Sequence, residues 1–389
     1  MTLDPRLLFS ALRAAGIRSF AGVPCSILTD LVLAAEASDD VDYVAASVEG
    51  EAVSVAAGSW LAGGLGAALM QNSGLGNAVN PLASLCLPYE IPALLIVSWR
   101  GEPGRKDAVH HAPMGAATPG LLELFGVPVT VLREDSDVEQ CVADAARYMQ
   151  KERKPAALIT PRGLFAKSQG NASRPPPVLA GRTPTSGAAV QRFEGGALPS
   201  RSELLDAWLA RFPEAPAVST TGYMSREVSA HGYFDRHFPM QGSMGFASAI
   251  ALGMARTRPE SAVHVLDGDG ALIMRMGSLA TIGACAPAQL VHVVVDNGTY
   301  ASTGGQLTVS PGVDFARAAL ACGYAAAASC RGGDALDDAL AFVADAAGSG
   351  PVLLHVAVDE REAEGLERPK LSPQEIAAAF RAGRGGGPA

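Results

Sequence analysis

The sequence predicts an α/β protein built from two doubly wound parallel-sheet domains. Each half alternates short apolar runs with segments of helical periodicity, the pattern of parallel strands joined by crossover helices. Between the halves, residues 168–200 lose that periodicity to Pro, Gly, Ser and Thr, a composition that holds no core and reads as a linker. At 389 residues the chain also exceeds one ordinary core and suits two domains. The domains are placed at 1–167 and 201–378, with 168–200 as linker and the glycine-rich 379–389 expected to be a mobile tail.

Taken in order, the first half offers the strands RSFAG, VDYVAA, GAALMQ, PALLIVS, VPVTVL and AALITP, each a short apolar run closed by turn residues. VDYVAA leads into SVEGEAVSVAAGSWLAGG, where Glu49 and Glu51 stand ahead of a helix rich in Ala, Gly and Val. Acids at that end complement the helix dipole whatever else they do. The small residues of this helix suit either close contact with a second copy or a place inside the domain. The second half offers the strands PAVSTTG, AVHVLDG, LVHVVVDN and PVLLHVAVD, with helical patterns around 201–212, 244–257, 276–285, 314–322 and 334–347.

Composition removes several classes of function. The formal net charge of −9 repels a phosphate-coated polymer, so nucleic acid is not an expected partner. No apolar run of about 18 residues occurs, and the N-terminus lacks the basic-then-apolar order of an export signal. A cytoplasmic protein without a membrane segment is expected. The six cysteines show no paired spacing, which fits a reducing compartment and suggests neither a zinc site nor a disulfide framework. A nicotinamide dehydrogenase is disfavoured, because no dinucleotide-binding glycine fingerprint follows a strand.

The chemistry gathers at VLDGDGALIM. Gly268 and Gly270 permit a tight turn and close approach of backbone N–H groups to a phosphate, while Asp269 offers a hard oxygen ligand in the same place. A helix starting near Met276 would add its positive end. Asn297 follows the next strand after one helix and two loops, so parallel topology returns it to the same sheet edge. The Asn297 side chain and the Thr299 carbonyl would then complete a set of oxygen donors suited to Mg²⁺.

This motif, GDG followed at this distance by Asn, resembles that of the thiamine diphosphate enzymes. The resemblance implies that both domains have the thiamine diphosphate-binding fold, 1–167 binding the pyrimidine and 201–378 the diphosphate and Mg²⁺, with no middle domain. It assigns the metal to Asp269, Asn297 and Thr299. It also requires an activating glutamate nine residues before a helix glycine, which selects Glu49, counted to Gly58, over Glu51. Such a carboxyl group shares a proton with the aminopyrimidine, whose nitrogen then removes the thiazolium proton. Met244 matches the large apolar residue that supports the bent cofactor.

Longer strings narrow the resemblance. FAGVPCSIL, MQNSGLGNAVNPLASL, SWRGEPGRKD, STTGYMSRE, GSMGFASAIALGMA and MGSLATIG resemble the phosphonopyruvate decarboxylases, with sulfopyruvate decarboxylases as close relatives. Carried over, they assign Gly22, Pro24, Thr221, Gly222, Ser243, Met244, Gly268 and Gly270 to the cofactor. Asn72, Ser73, Asn77, Arg100, Lys106 and Tyr300 fall to the substrate, and His111 is a catalytic proton donor or an anion contact. The implied substrate is a 2-keto acid with an anionic group on C3. The implied assembly is a homodimer or higher homo-oligomer with shared active sites.

Three segments depart from the pattern. DAVHH stands where the relatives tend to read DEPQH. NGTYASTGGQLT carries Tyr300 for His and Ala301 for Glu, and Tyr223 replaces the usual Lys after TTG. The cofactor assignment is independent of these positions. They leave open 3-phosphonopyruvate against sulfopyruvate or another 3-substituted keto acid, and decarboxylation against carboligation. A silent binding module is the remaining alternative, opposed by the intact trio Glu49, Asp269 and Asn297.

Overall fold

The computed structural model describes residues 2–38, 40–167, 189–363 and 365–385. These form two compact units, and the division between them falls within residues 168–200.

The first unit has strands β1 (Ser19–Gly22), β2 (Asp42–Ala45), β3 (Gly66–Gln71), β4 (Leu94–Trp99), β5 (Val129–Val131) and β6 (Ala156–Pro161). They lie in the order β2-β1-β3-β4-β6-β5, every pair parallel. All six correspond to expected runs. The connections carry helices α1 (Pro5–Ala14), α2 (Thr29–Glu36), α3 (Glu49–Leu61), α4 (Leu75–Pro81), α5 (Ala112–Leu124) and α6 (Val138–Glu152). The α1 start is encoded locally: the Asp4 side chain accepts from the Arg6 N–H, and Pro5 occupies the first turn. Helix α3 is different, because every residue from Glu49 to Leu61 is buried. A helix without a wet face lies inside its own unit. The small-residue composition therefore serves internal packing, and the idea that this face contacts a second copy is not supported by its surroundings.

The second unit contains β7 (Gln191–Glu194), β8 (Ala217–Ser219), β9 (His237–Pro239), β10 (Val263–Gly268) and β11 (Leu290–Asp296). A small antiparallel hairpin, β12 (Thr299–Tyr300) and β13 (Gln306–Leu307), follows, and then β14 (Ala326–Arg331) and β15 (Val352–Ala357). The main sheet runs β7-β14-β15-β11-β10-β8-β9, again parallel throughout. Its helices are α7 (Arg201–Arg211), α8 (Tyr223–Ala230), α9 (Ala247–Thr257), α10 (Asp269–Met274), α11 (Gly277–Cys285), α12 (Phe315–Ala321), α13 (Leu336–Ala346) and α14 (Pro373–Gly383). The core lies on the central strands, where Val293, Val352, Leu354 and Val356 are fully buried against Trp208 and Val343.

Two expected boundaries shift. Residues 191–194 lie in the range read as linker, yet they pair with β14 as an edge strand. Residues 379–383, read as tail, are the end of α14. A reciprocal Ser372–Glu375 cap starts that helix, and Phe380 is buried against Phe238. Within these two ranges, residues 168–188 and 386–389 lie outside the described residues.

Each sheet has a point where the chain reverses its direction of travel across the strands. In the second unit this is the gap between β8 and β10, since β9 lies on one side of β8 and β10 on the other. Ligands of doubly wound sheets bind beyond the strand ends at such a point. No helix among the described residues is long and apolar enough to cross a membrane.

Candidate active site

At the switch point of the second unit, the loops after β8, β10 and β11 line one cavity. Thr221, Gly222, Gly268, Asp269, Gly270 and Asn297 all face it, together with Met244, Thr299 and Tyr300. Strands β10 and β11 are paired in parallel register, Gly268 opposite Val295, so Asp269 and Asn297 leave neighbouring strand ends on the same edge. The helix after GDG begins at Asp269 itself, earlier than Met276, and a second helix then starts at Gly277.

Thr308 ties the two expected metal ligands together. Its hydroxyl donates to Asp269 Oδ2, and its backbone N–H donates to the carbonyl of Gly298, beside Asn297. Asn297 Oδ1 accepts the Thr299 N–H at 3.1 Å, which orients the amide and leaves that oxygen a second lone pair. Burial raises the Asp269 pKa, and the nearby Asp296 raises it further, against a hydrogen bond from Thr308. A cation would relieve both effects. For Asp296, burial alone would raise the pKa, but hydrogen bonds from His355 at 2.9 Å and Ser310 at 2.7 Å hold it below the ordinary value. Sequence reasoning missed Thr308, Ser310 and His355: Thr308 closes the NGTYASTGGQLT string, but nothing in that string marks its hydroxyl as a partner of Asp269.

The donor set fits a hard divalent ion: one carboxylate, one amide oxygen and a backbone carbonyl. Among the described residues, no cluster of three or more His, Cys, Asp or Glu side chains is placed to hold a metal. Charge balance and the remaining coordination would thus depend on the diphosphate and water. Gly270 keeps the cradle narrow, since a Cβ there would lie 2.3 Å from Cε1 of Tyr300. Tyr300, expected at the substrate, therefore packs on the Gly268–Gly270 turn. Met244 reaches the cavity from a strained turn, in which Ser243 is buried with φ +54° and Gly245 has φ +88°. Ser243 itself is not among the lining residues of the cavity.

In the first unit, Glu49 opens α3 at the end of the loop after β2 and is 9% exposed. Its Oε2 accepts from Asn77 Nδ2 at 2.8 Å. Gly74 lies so close that a Cβ would overlap the Glu49 carboxyl group, 2.1 Å from Oε1. NSGLGN thus fits around the glutamate side chain. Glu51 is fully buried, and its carboxylate accepts the backbone N–H of Ser47, the helix-end role open to either acid. Gly22 is buried at the end of β1, whereas Pro24 beyond it is exposed.

The substrate residues divide. Asn72 is fully buried, and its amide donates to the Arg100 carbonyl at 2.8 Å and to Thr118 Oγ1 at 2.9 Å. Its Oδ1 accepts the Arg100 N–H at 3.1 Å. Both donors are engaged, so Asn72 is a latch between two strand ends, not a substrate contact. Asn77 likewise points its amide at Glu49. Ser73 is exposed and accepts from Gln71.

Arg100 makes a two-point pair with Asp107, at 2.8 and 2.7 Å, and also reaches Ser26 Oγ at 3.1 Å. Its charge is thereby largely matched inside the protein, and the guanidinium holds the Asp107 pKa well below the carboxylate range. Lys106 is exposed in the same loop. His111 is 9% exposed and its ring lies 4.0 Å from that of His110. Neither ring nitrogen of His111 has a hydrogen-bond partner among the described residues. Desolvation lowers its pKa, and Arg100 and His110 lower it further.

Comparison with known proteins agrees with this geometry. The thiamine pyrophosphate enzyme N-terminal TPP binding domain matches residues 5–118, and the C-terminal TPP binding domain matches 219–356; thiamine pyrophosphate is thiamine diphosphate. The chain is 43% identical over 380 residues to phosphonopyruvate decarboxylase of Streptomyces viridochromogenes, covering 96% of this chain and 93% of that protein. It is 30% identical over 321 residues to sulfopyruvate decarboxylase of Methanosarcina acetivorans, covering 80% of each. A solved thiamine diphosphate-dependent 4-hydroxybenzoylformate decarboxylase from Rhodococcus jostii RHA1 has the same fold. It aligns with TM-score 0.62 at 15% identity, over 92% of this chain and 99% of that one.

Proposed function

Since the chain belongs to the thiamine pyrophosphate enzyme family, we propose that it decarboxylates 3-phosphonopyruvate to phosphonoacetaldehyde and CO₂. The observation that carries this reading is the 43% identity to a phosphonopyruvate decarboxylase along 96% of the chain. When bound, the cofactor supplies a nucleophilic thiazolium carbon and an electron sink for the pair released as CO₂ leaves.

The protein's own residues hold that group and manage protons. Asp269, Asn297 and the Thr299 carbonyl would take Mg²⁺, and Gly268 and Gly270 would admit the diphosphate. Met244 would support the cofactor from one side of the cavity. Glu49, buried and oriented by Asn77, would share the proton of the aminopyrimidine. His111 is 9% exposed, and desolvation, with Arg100 and His110 nearby, lowers its pKa and so favours the uncharged ring. It is therefore suited to deliver or accept a proton at the substrate. Lys106 and Arg100 would attract the C3 anion, with Arg100 acting mainly through its exposed edge, given its pairing with Asp107.

Membership of the thiamine pyrophosphate enzyme family supports an assembly of at least two chains that share active sites. All six cysteines are free thiols, which supports a reducing, cytoplasmic setting.

The test is incubation with thiamine diphosphate, Mg²⁺ and, separately, phosphonopyruvate, sulfopyruvate, pyruvate and a longer 2-keto acid, with CO₂ and carbonyl product recorded. Phosphonopyruvate is expected to give the highest kcat/KM and an aldehyde. A higher kcat/KM for sulfopyruvate, or a ketol as main product, would overturn the assignment.

A further inference from the structure

The cavity after β8 and β10 contains a cation that the motifs do not announce. Arg201, the first residue of α7, lines it beside Thr220, Gly268 and Asp269 and is the sole Lys or Arg among the lining residues described. It is 7% exposed. Of its five N–H donors, one engages Glu227, Nη2 to Oε1 at 2.8 Å, while Nε is buried without a partner. The guanidinium also lies over the Tyr223 ring, 5.5 Å from its centroid.

A buried Arg–Glu pair that existed only for stability would be expected to satisfy both groups, because each unmet donor or acceptor in such a pair is expensive. Here the pair is incomplete at both ends, since Glu227 Oε2 is also buried without a partner. The pair is polarised as well: Arg201 lines the cavity and Glu227 does not. Thr220 gives a second, independent sign. It is 5% exposed, its hydroxyl is buried without a partner, and its methyl group would lie 3.7 Å from a Cβ on Gly268. A fork of guanidinium donors and a hydroxyl on the wall of one cavity form a set that a phosphate oxygen completes.

We propose that Arg201, assisted by Thr220, binds the diphosphate of the cofactor. This rests on the thiamine diphosphate reading given above and adds to it a charge contact outside the GDG and Asn motif. Glu227 orients the guanidinium from behind, and Tyr223 supports its face.

The test is calorimetric titration of cofactor-free protein with thiamine diphosphate at saturating Mg²⁺, and with thiamine as the probe that lacks phosphate. Arg201→Gln alone strands Glu227, so the double variant Arg201→Gln/Glu227→Gln, which removes both charges and keeps the shape, is measured beside it. Both variants are expected to bind thiamine diphosphate about ten- to hundredfold more weakly, with thiamine affinity unchanged. If the double variant regains wild-type affinity, Arg201 serves only to neutralise Glu227 and the proposal fails. It fails equally if cofactor affinity is unchanged and only the KM of the keto acid rises, which would assign the arginine to substrate. Absence of binding by the wild-type protein would instead remove the cofactor reading on which the proposal depends.

Discussion

Asn77 Nδ2 lies 2.8 Å from Glu49 Oε2, joining the start of α3 to α4 at the point where Gly74 leaves room for the carboxyl group. A carboxylate fixed from one side presents its other oxygen in a single direction, which a proton shared with a ring nitrogen requires. Asn77→Ala is expected to lower kcat about tenfold, with affinity for thiamine diphosphate within a factor of two. Asn77→Asp should lower it further, because a second carboxylate replaces the donor. Steady-state kinetics at saturating cofactor, with calorimetry for binding, checks both; equal kcat in all three proteins would show that the contact does not orient Glu49.

Asn72 holds the ends of β3 and β4 together through two hydrogen bonds to Arg100, and a third ties it to Thr118 of α5. Asn72→Ala leaves the Arg100 N–H and carbonyl without this partner and should reduce unfolding free energy by about 3 kcal/mol. Urea denaturation measures this. A stable variant with a greatly raised KM would restore Asn72 to the substrate site.

Gly270 and Tyr300 line the same cavity so closely that there is no room between them for a methyl group. Gly270→Ala is expected to displace the Tyr300 ring, because that side chain is only half-buried and the strand behind Gly270 is fixed. Cofactor affinity should fall at least tenfold. Gly270→Ala/Tyr300→Ala should recover part of it, and no recovery would locate the clash in the backbone.

A pair of histidines predicts the acid limit of stability. Burial pushes His264 down to about 3 from 6.5; it pushes His237 down to about 4, with the neighbouring Arg236 and His231 acting in the same direction and Asp235 against them. His264 accepts from Trp208 at 3.0 Å, while neither ring nitrogen of His237 has a partner. Unfolding lets both rings take a proton near pH 6.5. The stability they permit is full above that value and is lost as pH falls through the window down to about 4 and 3. Denaturant midpoints between pH 7 and 4.5 should record a loss on the order of 2 kcal/mol per ring. His237→Phe should flatten the slope; an unchanged slope would contradict the assignment.

How far the sequence foretells all this depends on the residue. Strands such as β4 (LLIVSW) and β11 (LVHVVVD) are legible because a sheet covered on both faces is written as continuous apolar runs. β14 (AAASCR) is hidden by alanine, β7 (QRFE) by its polar edge position and β9 (HFP) by its length. The spacing of Asp269 and Asn297 is legible because helix and strand lengths fix it. Thr308, which joins them, comes from a loop whose approach is tertiary. The resemblance places Asn72 at the substrate, but a string such as NSGLGN does not say which way its donors and acceptors point. The resemblance places Arg100 there too, and its pairing with Asp107 within the same loop has no pattern to mark it.

The most direct measurement is the rate at which bound thiamine diphosphate exchanges its C2 proton for deuterium, in the wild-type protein and in Glu49→Gln. Glu49→Gln should bind the cofactor and Mg²⁺ as tightly as wild type while exchange slows by about 10²- to 10⁴-fold. Exchange at the wild-type rate in that variant would contradict the assignment of Glu49 as the activating carboxyl group.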